Sequence, residues 1–335
     1  MTLSFILGHL SVFLANTLFG LNIPITKILL SEWITPTGYM TLRSAGALLL
    51  FFLSQCFMGQ EKVAPRDLLK IAAGGLVGFG ISQYTNALSL QYTTPVYVSM
   101  VIFMTPMLTM FLAALLLGES LSVRKIVGVV LSIGGAAIMI WHVPANSNGS
   151  NHLLGIALAF LSIIAFSLYL ISMRAVARKY SPVTQTKWVF FFTFIFMAPI
   201  GFHNLDEQKL LSSAWEWSGV LCMLYVIIFA TFISYILMPF GMRHLNATSV
   251  SVYFNVQPIV ATLVAIAFGQ DSFKPELPLA AVLVLAGAYI VSTARQAQSP
   301  SKSQSQSQTL EQTIEEAQPH IPSLATVTAP SARQN

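Results

Sequence analysis

The sequence predicts an all-α membrane protein in which ten transmembrane helices form two inverted repeats of five helices each. Three observations lead to this fold class: the composition, the length of the apolar segments, and a match between the two halves of the chain. Of the 335 residues, 55% are hydrophobic and only 9% are charged. Soluble domains carry about 25% charged residues, so the composition excludes an ordinary soluble domain.

Apolar segments long enough to cross a bilayer follow one another along the chain. A hydrocarbon core of about 30 Å takes roughly 20 apolar residues per helix. Boundaries marked by Pro, Gly and charged residues separate ten such spans, joined by short loops. They are residues 4–30, 36–58, 68–90, 93–117, 122–142, 153–176, 182–202, 217–240, 245–269 and 277–294.

Basic residues are divided unequally between the two sides of the membrane that this order of spans creates. If the N-terminus lies inside, most of the 17 lysines and arginines fall at cytoplasmic helix ends, among them Lys62, Arg66, Arg178 and Arg243. The positive-inside rule therefore predicts a multi-pass protein of the cytoplasmic (plasma or inner) membrane, with both termini in the cytoplasm. The same bias accounts for the net charge of +5. We therefore predict contact with membrane lipids and no nucleic-acid partner.

An internal repeat connects the two halves of the chain. Residues 94–138 align without gaps to residues 246–290, a shift of 152 residues, and the identical pairs include Pro106 with Pro258. Because five helices are an odd number, the second copy enters the membrane from the opposite side, which makes the repeat inverted. Many secondary transporters use inverted repeats to obtain two conformations, one open to each side. The repeat therefore favours a transporter with its substrate site between the two copies.

Three domains follow from this arrangement. We predict a first repeat over residues 1–145 and a second over residues 150–294. Residues 295–335 are rich in Ser and Gln and contain few large apolar side chains. Such a composition is typical of disorder, so we expect a disordered cytoplasmic tail.

Polar residues inside the predicted spans are candidates for the substrate site. On the first span, Asn16, Gly20, Pro24 and Lys27 fall on a single helical stripe, where Lys27 meets an anionic substrate group or extends to the outer surface. Gln83, Tyr84 and Asn86 follow on the third span and Ser99 on the fourth; Ser251, Asn255 and Gln257 follow on the ninth. Buried amides and hydroxyls point into the bundle, either to contact substrate or to join helices.

Two prolines occupy matching positions in the predicted fourth and ninth spans. Each of Pro106 and Pro258 removes a backbone hydrogen bond and frees the carbonyl four residues earlier, on Ile102 and Phe254. A kink with a freed carbonyl suits a gate or a substrate contact, and a fixed packing kink is the alternative. Together with Pro24, these prolines are the predicted gating and kink positions.

Arg43 lies about two turns into the second span, and no acidic residue lies within any predicted span. Its partner is a carbonyl, a substrate carboxylate or phosphate, or Glu32, and a structural role is the interpretation that we favour from sequence. The absence of clustered acids, histidines and cysteines argues against an enzyme, a metal site and a cofactor. A lipid scramblase or a non-transporting membrane scaffold remains the alternative to a transporter.

Three segments of the sequence resemble the EamA family of the drug/metabolite transporter superfamily. They are "NTLFGLNIPITKIL" from residue 16, the stretch from "NALSLQYTTPVYV" to "VVLSIGGAAIM" over residues 86–139, and "FGMRHLNATSVSVYFNVQPIVATLVAIAFGQDS" from residue 240. The resemblance implies a secondary transporter but does not identify its cargo. From the inverted repeat and the polar residues together we predict an exporter or exchanger that moves a small polar metabolite, such as an amino acid or related solute, by alternating access. The resemblance also implies a cavity lined by spans 1, 3, 4, 6, 8 and 9, in which Tyr97, Tyr169 and Tyr235 shape the pocket.

Overall fold

The computed structural model describes residues 3–58, 61–118, 151–177, 179–203, 208–211, 217–245, 253–254 and 256–272, together with single positions between 123 and 138 and between 278 and 290. This part of the chain is helical and contains no β-strand. The elements of the first half are α1 (Leu3–Glu32), α2 (Pro36–Met58), α3 (Pro65–Ala73), a π-helical segment (Gly74–Gly80), α4 (Ile81–Tyr92), α5 (Pro95–Phe103) and α6 (Thr105–Leu117). Those of the second half are α7 (His152–Ser172), α8 (Arg174–Ala177), α9 (Pro182–His203), a 3-10 turn (Lys209–Leu211), α10 (Trp217–Leu224), a second π-helical segment (Tyr225–Ile233), α11 (Ser234–His244) and α12 (Val256–Ala267).

Six helical stretches of the described residues are long and apolar enough to cross a membrane. They are Leu3–Glu32, Pro36–Phe57, Pro95–Leu117, His152–Ser172, Pro182–His203 and Trp217–His244. They correspond to predicted spans 1, 2, 4, 6, 7 and 8, and we keep this numbering. Span 3 is the helix over residues 65–92, and span 9 contains the shorter α12. Predicted spans 5 and 10 lie largely outside the described residues.

Proline defines the start of several helices. Pro36, Pro65, Pro95 and Pro182 each stand at the first position of a helix. The first helical N–H groups have no partner within the helix, so proline loses nothing there and its fixed φ suits the helix. The prolines that mark the predicted boundaries therefore also determine where four helices begin.

The π-helical segments occur at equivalent places in the two halves. The 152-residue shift carries residues 74–80 onto residues 226–232, and the second π-helical segment covers Tyr225–Ile233. Both segments lie in the middle of a span, in span 3 and span 8. π-Helical turns are rare and are frequent at functional sites. The correspondence extends the repeat beyond the aligned residues and points to the middle of these two spans.

Spans 4 and 9 are interrupted near their matching prolines. In span 4 a turn at Met104 separates α5 from α6, and the hydroxyl of Thr105 donates to the carbonyl of Ile102. In span 9, α12 begins just after a turn at Phe254. The backbone N–H of Gln257 donates to the Phe254 carbonyl at 3.3 Å. Both carbonyls that proline was predicted to free therefore accept a local hydrogen bond.

Glycine ends span 4 and span 9 in the same way. Gly118 and Gly269 both have a φ of 68°, in the left-handed region that side-chain-bearing residues rarely adopt. The amide of Gly269 donates to the Ile266 carbonyl at 3.0 Å, which closes the last turn. The 152-residue shift carries Gly118 to within one residue of Gly269, so spans 4 and 9 end at equivalent positions.

Helix pairing is symmetric under exchange of the two repeats. Span 1 packs against spans 8 and 9, and span 6 packs against spans 3 and 4. Span 2 packs against span 7, and span 4 packs against span 9. Exchanging spans 1, 2, 3 and 4 with spans 6, 7, 8 and 9 reproduces the same set of contacts. This is the pattern that two copies of one fold produce around a pseudo-two-fold axis.

Glycines allow the closest of these approaches. A Cβ on Gly78 of span 3 would lie 2.5 Å from Cβ of Tyr169 in span 6. In the equivalent pair of spans, a Cβ on Gly241 of span 8 would lie 2.3 Å from Cγ2 of Val12 in span 1. Small residues that let helix backbones approach are the usual basis of helix association in membranes. Gly78 of span 3 and Gly241 of span 8 therefore serve close helix packing.

Candidate functional site

A buried arginine lies at the centre of a polar cluster between spans 2, 3 and 8. Arg43 is only 5% exposed, and its Nε donates a hydrogen bond to the Thr231 hydroxyl at 2.9 Å. Its Nη1 donates to Oε1 of Gln83 at 2.7 Å and reaches the Tyr39 hydroxyl at 3.5 Å. The cluster therefore joins Gln83 of the first repeat to Thr231 of the second.

The contacts of Arg43 contain no negative charge. Among the described residues, Arg43 forms no ion pair, and its hydrogen-bond partners are two hydroxyls and an amide. Placing a charged arginine at the middle of a membrane helix costs about 3 kcal/mol on insertion scales. Neutral hydrogen bonds offset part of this cost but leave the charge itself uncompensated. Ionisable residues in such positions mark ligand and ion pathways in membrane proteins.

The polar cluster continues into span 1. The Tyr39 hydroxyl lies 3.2 Å from the Thr26 hydroxyl, which lies 3.5 Å from Oδ1 of Asn22. A chain of polar side chains therefore runs from the first span to the guanidinium group of Arg43. Because each group in the chain has a neighbour to bond, the chain fixes the orientation of Tyr39 beside the charge.

Aromatic side chains surround the other side of the cluster. The Tyr235 ring lies 5.8 Å from Phe19 and 6.0 Å from Phe190, and it is close enough to Arg43 for the two to interact electrostatically. The Phe79 ring lies 6.4 Å from Tyr235 and 5.6 Å from Tyr169. Two predicted pocket residues, Tyr169 and Tyr235, are thus brought together by Phe79, which the sequence analysis did not single out.

A pair of amides joins span 1 to span 9. Nε2 of Gln257 donates to Oδ1 of Asn16 at 2.6 Å, and Nδ2 of Asn16 donates to the Val12 carbonyl at 2.8 Å. Asn16 is fully buried. The two helices approach closely here, since a Cβ on Gly20 would lie 2.8 Å from the backbone oxygen of Gln257. Asn16 and Gln257, predicted from separate stripes, therefore meet across the repeat interface.

Lys27 is directed at the end of span 3. Its Nζ donates to the carbonyl of Thr93 at 3.1 Å and to the carbonyl of Leu90. These carbonyls belong to the C-terminal end of α4, where a cation is favoured by the helix dipole. Lys27 thus faces the protein interior, and its predicted contact with an anionic substrate group stays a prediction.

The remaining predicted site residues lie at varied distances from Arg43. Ser99 is buried and donates to the Val96 carbonyl of its own helix at 2.9 Å. Tyr97 is buried beside the His152 ring, 5.9 Å between centroids. Tyr84 and Asn86 are half-buried on span 3. Pro24 lies inside the continuous helix α1, and Pro106 and Pro258 lie at the span interruptions described above. Ser251 and Asn255 lie outside the described residues.

A second buried cation, Lys187 of span 7, has a different environment. Its Nζ donates to Oε1 of Gln55 and lies 4.7 Å from the ring centroid of Phe52 and 4.8 Å from that of Trp188. Aromatic faces stabilise a desolvated cation, so this charge has partial compensation from two rings. Arg43 has one such face, Tyr39 at 5.9 Å. In the described part of the chain, no group of three His, Cys, Asp or Glu side chains could hold a metal ion.

An ionic contact, which we call the inner clasp, joins the loop between spans 2 and 3 to the loop between spans 6 and 7. Asp67 accepts hydrogen bonds from Nζ of Lys179 and from the Tyr180 hydroxyl, both at 3.0 Å. The hydrogen bond from Lys179 is the main reason why the pKa of Asp67 is lowered and that of Lys179 is raised. Nearby, burial raises the pKa of Glu61, but hydrogen bonds from the backbone and side chain of Ser181 outweigh it and the pKa is lowered.

A neutral contact, the outer clasp, joins the loops at the other end of span 2. Gln208, between spans 7 and 8, accepts from the Thr35 amide at 2.8 Å and donates to the Thr35 hydroxyl at 2.9 Å. The Leu210 amide donates to the Trp33 carbonyl at 3.0 Å. Exchange of the repeats converts the loop pair of the outer clasp into that of the inner clasp. The two clasps are therefore equivalent contacts at opposite ends of the helix bundle.

Sequence reasoning did not include Arg43 or Thr231 among the candidate site residues. An arginine inside an apolar span without an acidic residue is a visible signal, and the sequence analysis noted it. Its partners are 40 and 188 residues away in the chain, and no local pattern connects positions so far apart.

Comparison with known proteins agrees with this architecture. The model of the EamA-like transporter family matches residues 6–141 and 153–293, once for each repeat. An uncharacterized transporter of Archaeoglobus fulgidus is 25% identical over 266 residues, which cover 79% of this chain and 91% of that protein. The uncharacterized transporter YetK of Bacillus subtilis is 21% identical over 73% of this chain and 74% of its own length.

Two further comparisons concern a plant protein and the fold. The WAT1-related protein At1g68170 of Arabidopsis thaliana is 30% identical over 133 residues, which cover 37% of each chain. A solved crystal structure is similar over 86% of this chain and 97% of its own with a TM-score of 0.58, and at 18% identity it supports the fold alone. Since the family model covers nearly all of both repeats, the chain belongs to the EamA-like transporter family and is a transporter rather than an enzyme.

Proposed function

We propose that the protein is a secondary transporter that moves a small polar metabolite, such as an amino acid or a related solute, across the cytoplasmic membrane by alternating access. In this proposal ten spans form two inverted five-helix repeats over residues 1–145 and 150–294, and both termini, including the tail 295–335, lie in the cytoplasm. Export or exchange is the direction that we propose, and the candidate site residues named above line the path.

The pair of equivalent clasps carries the proposal. One clasp holds the loops together at each end of span 2, and repeat exchange converts one loop pair into the other. Alternating access requires two conformations of similar free energy, each closed at one end. Both clasps are closed in this structure, so a conformation open at one end must break the clasp at that end and keep the other, and the pseudo-symmetry of the fold relates the two closures. Arg43 and the Asn16–Gln257 pair lie between the two ends, where the repeats meet.

Cross-linking of each clasp tests alternating access directly. In a background with Cys56→Ser and Cys222→Ala, one variant carries Asp67→Cys with Lys179→Cys for the inner clasp. The second carries Thr35→Cys with Gln208→Cys for the outer clasp. Each is treated with a short bis-methanethiosulfonate cross-linker, which a reductant cleaves, in vesicles loaded with a mixture of amino acids other than cysteine, amines, monocarboxylates and neutral solutes, and efflux is followed by mass spectrometry.

We expect either cross-link alone to stop efflux and cleavage of the reagent to restore it, because a carrier must open each end in turn. The matched controls are the four single-cysteine variants, which should react with the reagent and continue to transport. Efflux that continues with either cross-link complete would refute alternating access. Movement of labelled phospholipid between the leaflets of the same vesicles would identify a scramblase, and neither activity would indicate a scaffold.

A further inference from the structure

The guanidinium group of Arg43 has hydrogen-bonding capacity that its neighbours do not use. Nε donates to Thr231, and Nη1 donates to Gln83 and reaches Tyr39. A guanidinium group has five N–H donors, so the two on Nη2 have no hydrogen bond to the described residues. Planar, paired donors of this kind match the two oxygens of a carboxylate.

The charge around Arg43 favours an anion with a single negative charge. The described neighbours Tyr39, Gln83, Thr231 and Tyr235 are uncharged side chains. One carboxylate would neutralise the guanidinium group, whereas a phosphate dianion would leave a negative charge in a medium of low dielectric constant. Lys27 and Lys187, the other cations of the described spans that are not exposed, are engaged elsewhere by carbonyls, an amide oxygen and aromatic rings.

The partners of Arg43 lie where the conformation of the repeats can change. Thr231 belongs to the π-helical segment of span 8, and Gln83 follows the π-helical segment of span 3 by one turn. The 152-residue shift carries Gln83 onto Tyr235, so these two equivalent positions of the repeats face the same cation. Movement of one repeat against the other therefore changes the contacts of Arg43, and a bound anion would be sensed by both repeats.

We propose that Arg43 is the anion-binding group of the transport site and holds the carboxylate of the substrate, with Gln83 and Thr231 orienting the guanidinium group. This inference rests on the proposed function and names the substrate class: a monocarboxylate or a zwitterion that presents its carboxylate to Arg43. In a zwitterion the ammonium group faces the aromatic rings of Tyr235 and Phe79, since the described part of the cluster contains no second carboxylate.

Ligand-induced thermal stabilisation of the purified full-length protein tests the inference. A ligand that binds the folded state raises its apparent stability by mass action. The probes are paired compounds that differ at one group: an amino acid and its carboxamide, a simple monocarboxylate and its amide, an amine, and a phosphomonoester. We expect stabilisation by the carboxylate of each pair and not by its amide. Stabilisation by the amino acid alone identifies a zwitterionic substrate, and stabilisation by both carboxylates identifies a carboxylate substrate.

Two matched variants separate the role of Arg43 from the general effect of removing a buried cation. Arg43→Gln should weaken carboxylate binding about 10- to 100-fold, the range of one charge-assisted hydrogen-bond pair. Lys187→Gln removes a cation of similar burial and should bind carboxylates like the wild type. Arg43→Lys keeps the charge without the planar fork, so its affinity should fall between those of the wild type and Arg43→Gln.

Three results would overturn the inference. They are equal stabilisation of the wild type by carboxylates and amides, no stabilisation by any carboxylate at millimolar concentration, and undiminished carboxylate binding by Arg43→Gln. The wild-type comparison decides the matter even if Arg43→Gln does not fold. Failure here is distinct from failure of the proposed function. If the clasp cross-links block efflux of an amine or a neutral solute, the proposed transport function stands and the proposed carboxylate substrate is rejected.

Discussion

Replacing Gly78 by alanine tests the close contact between spans 3 and 6 that positions the aromatic side of the candidate site. The added Cβ would lie 2.5 Å from Cβ, 2.9 Å from Cα and 3.1 Å from the backbone nitrogen of Tyr169. Carbon atoms in favourable contact are about 3.5–4.0 Å apart, so the two helices must separate by about 1 Å. Because two of these three atoms are backbone, a change of rotamer cannot relieve the contact.

The expected cost is that of overpacking a helix interface, about 1–3 kcal/mol. For a large domain, 1 kcal/mol corresponds to roughly 2–4 °C in Tm, so Gly78→Ala should lower Tm by about 2–12 °C. Gly134→Ala is the matched control, since its Cβ would meet no described atom within 4 Å. That substitution should be neutral or raise stability by up to about 1 kcal/mol, because alanine favours the helix.

Fluorescence-monitored thermal unfolding in one detergent measures both variants beside the wild type. A Tm for Gly78→Ala equal to that of the wild type would contradict the close approach and, with it, the placement of Tyr169 beside Phe79. A fall in Tm of the same size for Gly134→Ala would show that the effect belongs to any added methyl group and not to this interface.

Three further predictions address the inner clasp, the amide pair and the lysine of span 1. Lys179 lowers the pKa of Asp67, so the stability that Asp67 contributes is present at neutral pH and is lost as pH falls through its lowered pKa. The Tm difference between the wild type and Asp67→Asn should therefore be constant near neutrality and shrink below about pH 4. Asn16→Leu should leave the Gln257 amide without its partner, so a double-mutant cycle with Gln257→Leu measured by thermal unfolding should give a coupling of about 0.5–2 kcal/mol; additive effects would show that the pair contributes nothing. Lys27→Met should lower Tm but keep the preference for carboxylates over amides, and loss of that preference would place Lys27 on the substrate instead.

Features that depend on local sequence were accessible before the structure. Pro106 and Pro258 predicted the interruptions of spans 4 and 9, because proline removes a backbone donor wherever it occurs inside a helix. Family membership followed from motifs that recur in both halves, since the same short patterns are repeated at a fixed distance.

Features that depend on distant partners were not accessible. Asn16 and Gln257 are 241 residues apart and lie on different helices. No local sequence pattern shows that spans 1 and 9 pack together at these two positions. The prolines correctly predicted that the carbonyls of Ile102 and Phe254 lose their helical hydrogen bonds. The sequence did not show that the Thr105 hydroxyl and the Gln257 backbone N–H would donate to them. The π-helical segments also gave no signal, because the change of helical register that they cause leaves no trace in segments whose residues are nearly all apolar.

The two halves share a scaffold but carry different side chains at equivalent central positions. The helix pairing, the π-helical segments and the clasps are reproduced by exchange of the repeats. The side chains at the equivalent central positions are not, because Phe79 corresponds to Thr231 and Gln83 to Tyr235. Two conformations of similar free energy need the symmetry, whereas a small substrate with distinct ends needs a site with distinct sides. Arg43 contacts Gln83 of the first repeat and Thr231 of the second and lies near Tyr235, and this arrangement allows a single bound molecule to contact both repeats in different ways.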